Sequence, residues 1–231
     1  MSIVRHLGKT WISAVETTEE PTNGTTDWDI MVEDAVFSQP TGFKNYIING
    51  GFDVWQRGTS FSVSSPTYTS DRWFAFGSAP STITKSTSNV LKMVRSGASG
   101  YSAISQKIEN PKKLSNKTVT LSFDCRATST SIGAEKWATV GGSKADYSDL
   151  AASIINKDSV NSTTWTRCYV TFSYGDFSSS NSNDTAIVSI YYKGSDNNGY
   201  IEISNVQLEE GSVATPFENR PYGLELALCQ R

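Results

Sequence analysis

Alternation of apolar and polar residues along several segments is the feature that most constrains what this chain can fold into. Residues that alternate in this way lie on opposite faces of an extended strand, one face buried and one in water. Three segments share the pattern, and their apolar members are Val119, Leu121, Phe123 and Cys125; Cys168, Val170, Phe172 and Tyr174; and Ala186, Val188, Ile190 and Tyr192. The sequence therefore predicts an all-β fold in which antiparallel strands form a two-sheet β-sandwich.

The last alternating segment changes its phase part-way along. Ile201 and Ile203 occupy one phase, whereas Val206 and Leu208 occupy the other. A one-residue shift would turn the second pair away from the core, and one extra residue in the strand restores their direction. We therefore predict a β-bulge near Ser204–Asn205.

The chain divides into segments of different character. Residues 1–36 predict a small β-rich unit, with strands at Lys9–Val15 and Asp27–Val32. Residues 37–44 contain Pro and Gly and are interpreted as a linker. The predicted sandwich spans residues 45–211.

A short apolar tail, residues 212–231, follows the predicted sandwich. Leu224, Leu226 and Leu228 suit a strand, whereas Leu224, Ala227 and Leu228 suit a short helix. An isolated segment of this length is unstable in water in either form. We therefore expect Leu224, Leu226 and Leu228 to lie at an oligomer interface.

Composition and charge argue against several classes of function. The formal net charge is −3 and the pI is about 5.3, so the chain lacks the basic surface that nucleic-acid binding requires. No apolar run approaches the ~20 residues of a membrane-spanning helix, and membrane insertion is not expected. Met1–His6 has no apolar signal-peptide region, so we expect synthesis in the cytoplasm without a signal peptide.

Catalytic residues and transition-metal ligands are scarce. His6 is the sole histidine, and every Ser-His-Asp or Cys-His mechanism would depend on it. The three cysteines lack the spacing of a zinc site. Cys125 and Cys168 fall in predicted strands, where we expect buried apolar side chains, and a disulfide between them requires neighbouring strands. The expectation is a protein that is not an enzyme.

Several segments resemble bacteriophage proteins. INGGFDVWQRG at 48–58, DRWF at 71–74 and QLEEGSVATPFENRPYGLELALCQR at 207–231 resemble tail-fibre and receptor-binding proteins. The resemblance implies a jelly-roll domain of the galactose-binding-like, carbohydrate-binding-module type. Residues 9–33 resemble the latter part of a small tryptophan-containing carbohydrate-binding repeat, with its opening strand missing or reduced to Ile3–Arg5.

This resemblance implies a place on the virion, at the tail or capsid surface, and a homotrimer that contacts other phage structural proteins. Two functions stay open. The first is a fibre or receptor-binding protein that attaches to host-surface polysaccharide through a non-catalytic sandwich, where several copies would raise avidity. The second is a purely structural component, such as a head fibre, decoration protein or tail adaptor, that binds no glycan.

Sugar binding requires aromatic faces together with polar groups that fix the hydroxyls. One candidate set has this chemistry and follows the INGG segment: Trp55, Arg57, Asp71 and Trp73. The alternative interpretation makes these residues framework, with the tryptophans in the core and an Arg–Asp bridge holding a loop. A second set lies in Gly- and Ser-rich surroundings and predicts an exposed platform on loops: Tyr101, Trp137 and Tyr147.

A structural Ca²⁺ is the one cofactor that the resemblance implies. Sandwiches of this type hold the ion between their first and last strands through carbonyl and carboxylate oxygens, the hard ligands that Ca²⁺ prefers. Asp53 and Glu209 are the available carboxylates in these two segments.

Overall fold

The computed structural model describes residues 2–6, 9–13, 29–33 and 43–230, except 88, 98, 141–142 and 178–183. The chain divides into two compact units, Met1–Gly42 and Phe43–Arg231.

The first unit contains a three-stranded antiparallel sheet. Its strands are β1 (Ser2–His6), β2 (Lys9–Ser13) and β3 (Asp29–Glu33), in the order β1-β2-β3. The strands at β2 and β3 were expected. Of the two alternatives for the opening strand, its absence is wrong, and a short strand that includes Ile3–Arg5 is present. The opening segment forms β1, in which Ser2 through His6 pair residue by residue with β2.

The regular secondary structure of the second unit consists almost entirely of strands. Their bounds are β4 Ser60–Val63, β5 Thr67–Tyr68, β6 Trp73–Gly77, β7 Ser81–Thr87, β8 Val90–Arg95, β9 Ser102–Ile108, β10 Thr118–Ala127, β11 Ile132–Val140, β12 Ser143–Asp149, β13 Thr166–Ser173, β14 Thr185–Tyr192 and β15 Tyr200–Glu210. Short 3-10 turns occur at Pro111–Leu114, Ala151–Ser153 and Lys157–Ser159, and one helix, α1, spans Tyr222–Cys229. In the described residues, no helix is long and apolar enough to cross a membrane.

These strands form two six-stranded antiparallel sheets. Sheet 1 has the order β13-β10-β15-β8-β7-β4, and sheet 2 has the order β12-β11-β14-β9-β6-β5. One buried core joins them, because Phe123 and Ile203 of sheet 1 belong to the same apolar cluster as Trp73 and Ile104 of sheet 2. The prediction of an all-β, antiparallel β-sandwich is confirmed.

The alternating segments form the predicted core faces. All the apolar residues that defined the pattern in β10, β13 and β14 are buried. Cys125 and Cys168 lie on the neighbouring strands β10 and β13, with their sulfurs 3.8 Å apart, and both are free thiols. Contact with the Cys168 sulfur and burial together raise the pKa of the Cys125 thiol far above its usual range, so it acts as an apolar side chain at neutral pH.

The predicted bulge is present in β15. Ser122 of β10 pairs with Gln207, whereas Asp124 pairs with Ser204, so β15 carries one extra residue in this interval. Asn205 adopts the left-handed conformation at φ 51°, which Asn tolerates better than most residues. As a result Ile203 and Val206 both face the core and are fully buried.

The segment before β4 closes the sandwich against this bulge. Tyr46 donates its main-chain N–H to the carbonyl of Leu208 at 2.8 Å, and Val206 donates to the carbonyl of Gly50 at 2.9 Å. A side chain at Gly50 would overlap the carbonyl oxygen of Val206. Glycine is therefore required where the two backbones meet.

The tail contains the helix α1, which docks on the segment that precedes β4. Buried Glu225 of α1 accepts the main-chain N–H of Asn49, and the guanidinium of Arg220 bonds the carbonyls of Asn45 and Ile47 while pairing with Glu225. The helical alternative is thus the correct one and the strand alternative is wrong.

The helical form changes how the three predicted interface leucines are arranged. Leu224 and Leu228 share one side of α1, whereas Leu226 is two residues from each and lies on another side. All three are half-buried within the single chain. An oligomer interface at these residues stays a prediction.

Candidate functional site

The outer face of sheet 2 carries a continuous line of aromatic rings. The line arises from the alternation of side chains along the strands, as β6 illustrates. Trp73 and Ala75 enter the core, so the alternate residues Phe74 and Phe76 point away from the core. The neighbouring ring centroids are 5.7–6.1 Å apart along the line. We call this the aromatic strip, and its members are Tyr68, Phe74, Phe76, Tyr101, Tyr191, Trp137 and Tyr147.

Small residues form the floor beneath the strip. Ser105 of β9 pairs with Ser189 of β14, and their hydroxyls are hydrogen-bonded at 2.7 Å. Both serines are buried although they lie on the outer face. Paired residues of neighbouring strands form rows across the sheet, and Phe76 and Trp137 lie in the two rows that flank the row of this serine pair. Their ring centroids are 5.7 Å apart, so the two rings meet above the serines.

One position in the floor requires glycine. A Cβ atom at Gly133 of β11 would overlap the ring of Tyr191 on the paired position of β14. The absence of a side chain lets that ring lie close to the sheet. Its centroid is 6.1 Å from that of Tyr101, which joins it to the strip.

Two carboxylates hold the polar ends of the rings. Glu135 accepts hydrogen bonds from the indole N–H of Trp137 and from the phenol of Tyr147, each at 3.1 Å. Asp149, its cross-strand partner, accepts the phenol of Tyr191 at 3.0 Å. Burial and the bond to Glu135 raise the pKa of Tyr147 to about 12, so its phenol remains a donor at neutral pH.

The second predicted sugar-binding set is brought together here. Trp137 lies in β11 and Tyr147 lies in β12, so the expectation of loops is wrong for these two residues. Tyr101 lies in the loop that immediately precedes β9, as expected. Sequence reasoning missed four further ring positions and one acid: Tyr68, Phe74, Phe76, Tyr191 and Glu135. Alternation along β6 was the available signal for the two phenylalanines.

The first predicted set belongs mainly to the framework. Trp73 is fully buried and donates its indole N–H to the carbonyl of Asn49 at 3.0 Å. Asp71 is buried and accepts the main-chain and side-chain N–H groups of Gln56 at 2.6 and 3.0 Å. Trp55 donates to a main-chain carbonyl at 2.7 Å and stacks on Phe61. As a correction, Trp73 and Asp71 do not form part of a sugar-binding surface.

Arg57 differs from the rest of that set because it is half-exposed. Its guanidinium is 3.8 Å from Asp71 and lies 5.5 Å from the ring centroid of Tyr68. It borders a cavity of about 330 Å³ whose wall includes two members of the aromatic strip. We call this cavity the basic pocket, and its lining residues are Arg57, Arg72, Lys107, Tyr68, Phe74 and Cys229.

The two proposed calcium ligands have separate partners. Glu209 accepts the main-chain N–H of Thr215 at 2.9 Å and its hydroxyl at 2.5 Å, together with the amide of Gln207 at 2.8 Å. Asp53 interacts with Lys85 and Glu225, and burial raises its pKa. Among the described residues, no three His, Cys, Asp or Glu side chains are grouped to hold a metal. A calcium ion held by carbonyl and carboxylate oxygens of these segments stays an untested prediction.

Comparison with known proteins finds no matching family model and no matching curated protein. Solved structures that are similar include the enzymatically active domain of tailspike protein 4 from bacteriophage CBA120, at 12% identity and a TM-score of 0.42 over 73% of this chain. The chain spans about a fifth of that tailspike chain, 22%.

Other similar structures are carbohydrate-binding modules. The CBM22-1 xylan-binding domain of Paenibacillus barcinonensis is 14% identical, with a TM-score of 0.38 over 67% of this chain and 94% of its own. The family 11 carbohydrate-binding module of a Clostridium thermocellum cellulosomal cellulase is 12% identical, with a TM-score of 0.37 over 68% of this chain and 91% of its own.

Proposed function

We propose that this protein binds glycans through the aromatic strip. The observation that carries the proposal is the set of contacting rings on an outer sheet face, of which Tyr147 is 43% exposed and Tyr68 is 54% exposed. Aromatic faces stack on the C–H surfaces of sugar rings, and nearby carboxylates accept hydrogen bonds from sugar hydroxyls. Asp149 is exposed beside the rings and can serve as such an acceptor.

The dimensions of the strip suit an extended oligosaccharide. Tyr68 lies in β5 at one edge of sheet 2, and Tyr147 lies in β12 at the opposite edge. Six adjacent strands are separated by five spacings, so the strip crosses about 24 Å. Several sugar rings in a row would therefore contact it, each through a weak stacking interaction.

We further propose that the sandwich binds without cleaving. Each oxygen of Glu135 accepts a hydrogen bond from a ring of the strip, at Trp137 and at Tyr147. This carboxylate is thereby engaged in holding rings, whereas glycoside hydrolysis requires a carboxyl pair free to act on the glycosidic bond. Release of new reducing ends from any bound polysaccharide would contradict this part of the proposal.

The biological setting that we propose is attachment of a phage particle to host-surface polysaccharide. The support is the resemblance of the INGGFDVWQRG, DRWF and C-terminal segments to phage fibre proteins. A homotrimer would present three strips, so its overall avidity for a polysaccharide would be high although each strip binds weakly. A purely structural virion component is the alternative; it predicts attachment to isolated capsids or tails with no binding to glycans.

The test is a glycan array with the purified full chain and two strip variants. We expect Trp137→Ala and Tyr147→Ala each to weaken binding about tenfold or more, equivalent to about 1.4 kcal/mol. Trp165→Ala is the matched control, because Trp165 is 40% exposed and adjoins β13 of the other sheet. Equal binding by all four proteins, or binding by none, would reject the proposal. Light scattering on the same samples measures whether the mass is that of a trimer.

A further inference from the structure

The basic pocket concentrates positive charge in a chain whose net charge is negative. Its lining includes Arg57, Arg72 and Lys107 and contains no carboxylate. The whole chain carries a formal charge of −3. Three cations therefore face one cavity, and with two of them paired to acids the cluster still has a net positive charge, which favours an anionic ligand.

Neighbouring acids compensate two of these cations. Arg72 pairs with Glu109 at 2.5 Å, and Arg57 lies 3.8 Å from Asp71. Both acids lie outside the lining of the pocket. These ion pairs reduce the freedom of two long side chains and pre-position their donors.

Lys107 supplies the uncompensated charge. It is exposed on the outer face of β9, and in the part of the chain that the structure describes it has no salt-bridge partner. An anion in the pocket would thus gain one unpaired ammonium and two oriented guanidinium groups. Charge-assisted hydrogen bonds of this kind are stronger than those between neutral groups.

The pocket and the aromatic strip are continuous. Tyr68 and Phe74 belong to both, with ring centroids 5.9 Å apart. Lys107 pairs with Ile187 and Ile187 pairs with Trp137, so Lys107 and Trp137 lie in one row, two strand spacings or about 10 Å apart. A sugar on Tyr68 and Phe74 would place a substituent next to the cations while the chain continues over the strip.

We propose that the basic pocket binds an anionic substituent, a carboxylate or a phosphate, on the glycan that occupies the strip. The inference rests on the proposed function and narrows it to acidic polysaccharides. Planar guanidinium groups match the paired oxygens of either anion, and the cavity of about 330 Å³ accommodates one such group.

The experiment compares matched acidic and neutral probes on the full chain. Oligogalacturonate supplies the carboxylate, its carboxyl-reduced form is the neutral counterpart, and phosphomannan with its dephosphorylated form supplies the phosphate pair. We expect at least one acidic probe to bind about tenfold more tightly than its neutral counterpart, with a preference that falls as salt rises.

Two variants that each remove one positive charge test whether the preference for acidic probes depends on the basic pocket. Lys107→Gln should remove most of the preference for the acidic probe and leave the affinity for the neutral one within about twofold. Lys113→Gln, at an exposed lysine of the 3-10 turn Pro111–Leu114, is the control with the same charge change.

The outcomes separate this inference from the proposed function. If acidic and neutral probes bind with equal affinity and Trp137→Ala abolishes both, the proposal for the basic pocket is wrong and the proposal for the aromatic strip stands. If Lys107→Gln keeps the preference for acidic probes, the basic pocket is not the cause of that preference and the inference is wrong. No binding to any probe or array glycan would overturn both proposals together.

Discussion

The main-chain N–H of Asn49 donates a hydrogen bond to the carboxylate of Glu225, which lies 176 residues further along the chain. The bond joins the first segment of the sandwich to the helix that follows its last strand. The same carboxylate pairs with Arg220, whose side chain is 4% exposed. Removal of this buried acid leaves the N–H of Asn49 without its acceptor, whereas Arg220 keeps Glu218 and two main-chain carbonyls as partners.

We therefore expect Glu225→Ala to lower the free energy of unfolding by about 2 kcal/mol, because a buried N–H loses its acceptor and Arg220 loses one of its two carboxylate partners. Urea denaturation monitored by tryptophan fluorescence measures the change. Asp158→Ala, at an exposed acid of the 3-10 turn Lys157–Ser159, should change the midpoint little. Equal midpoints for the two variants would show that the bonds of Glu225 contribute nothing to the stability of the sandwich.

The floor of the aromatic strip leads to a second prediction. Gly133→Ala should displace the ring of Tyr191, break its hydrogen bond to Asp149 and cost about 1 kcal/mol of stability. Glycan affinity should fall at the same time, because Tyr191 supports Tyr101 at the edge of the strip.

Gly175→Ala is the control for this substitution, since a methyl group there meets no atom within 4 Å. Chemical shifts of the tyrosine rings report the displacement directly. An unchanged Tyr191 resonance in Gly133→Ala would mean that the ring does not lie against the floor.

The pair Tyr46 and Glu210 leads to a prediction about pH. The phenol of Tyr46 donates to Glu210 at 2.5 Å, and this bond, together with Lys117 at 3.2 Å, holds the pKa of Glu210 below its ordinary value of 4.5. A depressed carboxyl pKa contributes stability that is present above 4.5 and is lost as pH falls through the depressed value.

Tyr46→Phe should therefore raise the pKa of Glu210 toward 4.5. The stability difference between wild type and variant should be largest near neutral pH and shrink as pH falls below 4.5. Carboxyl NMR titration measures the first effect, and urea midpoints from pH 3 to 7 measure the second. Tyr222→Phe, at an exposed tyrosine, should leave the titration unchanged, and a similar shift in both variants would assign it to another cause.

Features with a local period could be predicted from the sequence. The strands at Thr118–Ala127 and Thr166–Ser173 follow from apolar residues at every second position, which is a property of adjacent residues in the chain. The bulge at Asn205 could be predicted for the same reason, because two phases of one strand can both be buried only with an extra residue.

The aromatic strip could be predicted only in part, because it depends on strand order. Tyr68, Trp137 and Tyr191 are far apart in sequence and meet because β5, β6, β9, β14 and β11 lie side by side. Alternation indicates which residues leave the core, but not which strands are neighbours. The docking of α1 could not be predicted for a related reason, since its buried acid Glu225 contacts Asn49, a residue 176 positions away in the chain.

The hydrogen bonds that close the sandwich and the rings that form the strip use different side chains. Asn45, Asn49 and Glu225 lie in the closing segments, whereas Phe76 and Tyr147 lie on the far face of sheet 2. A randomised library restricted to the strip would therefore sample new ligand preferences on a scaffold whose closure is left intact. The domain therefore keeps the residues that maintain its fold separate from those that it exposes on the outer face of sheet 2.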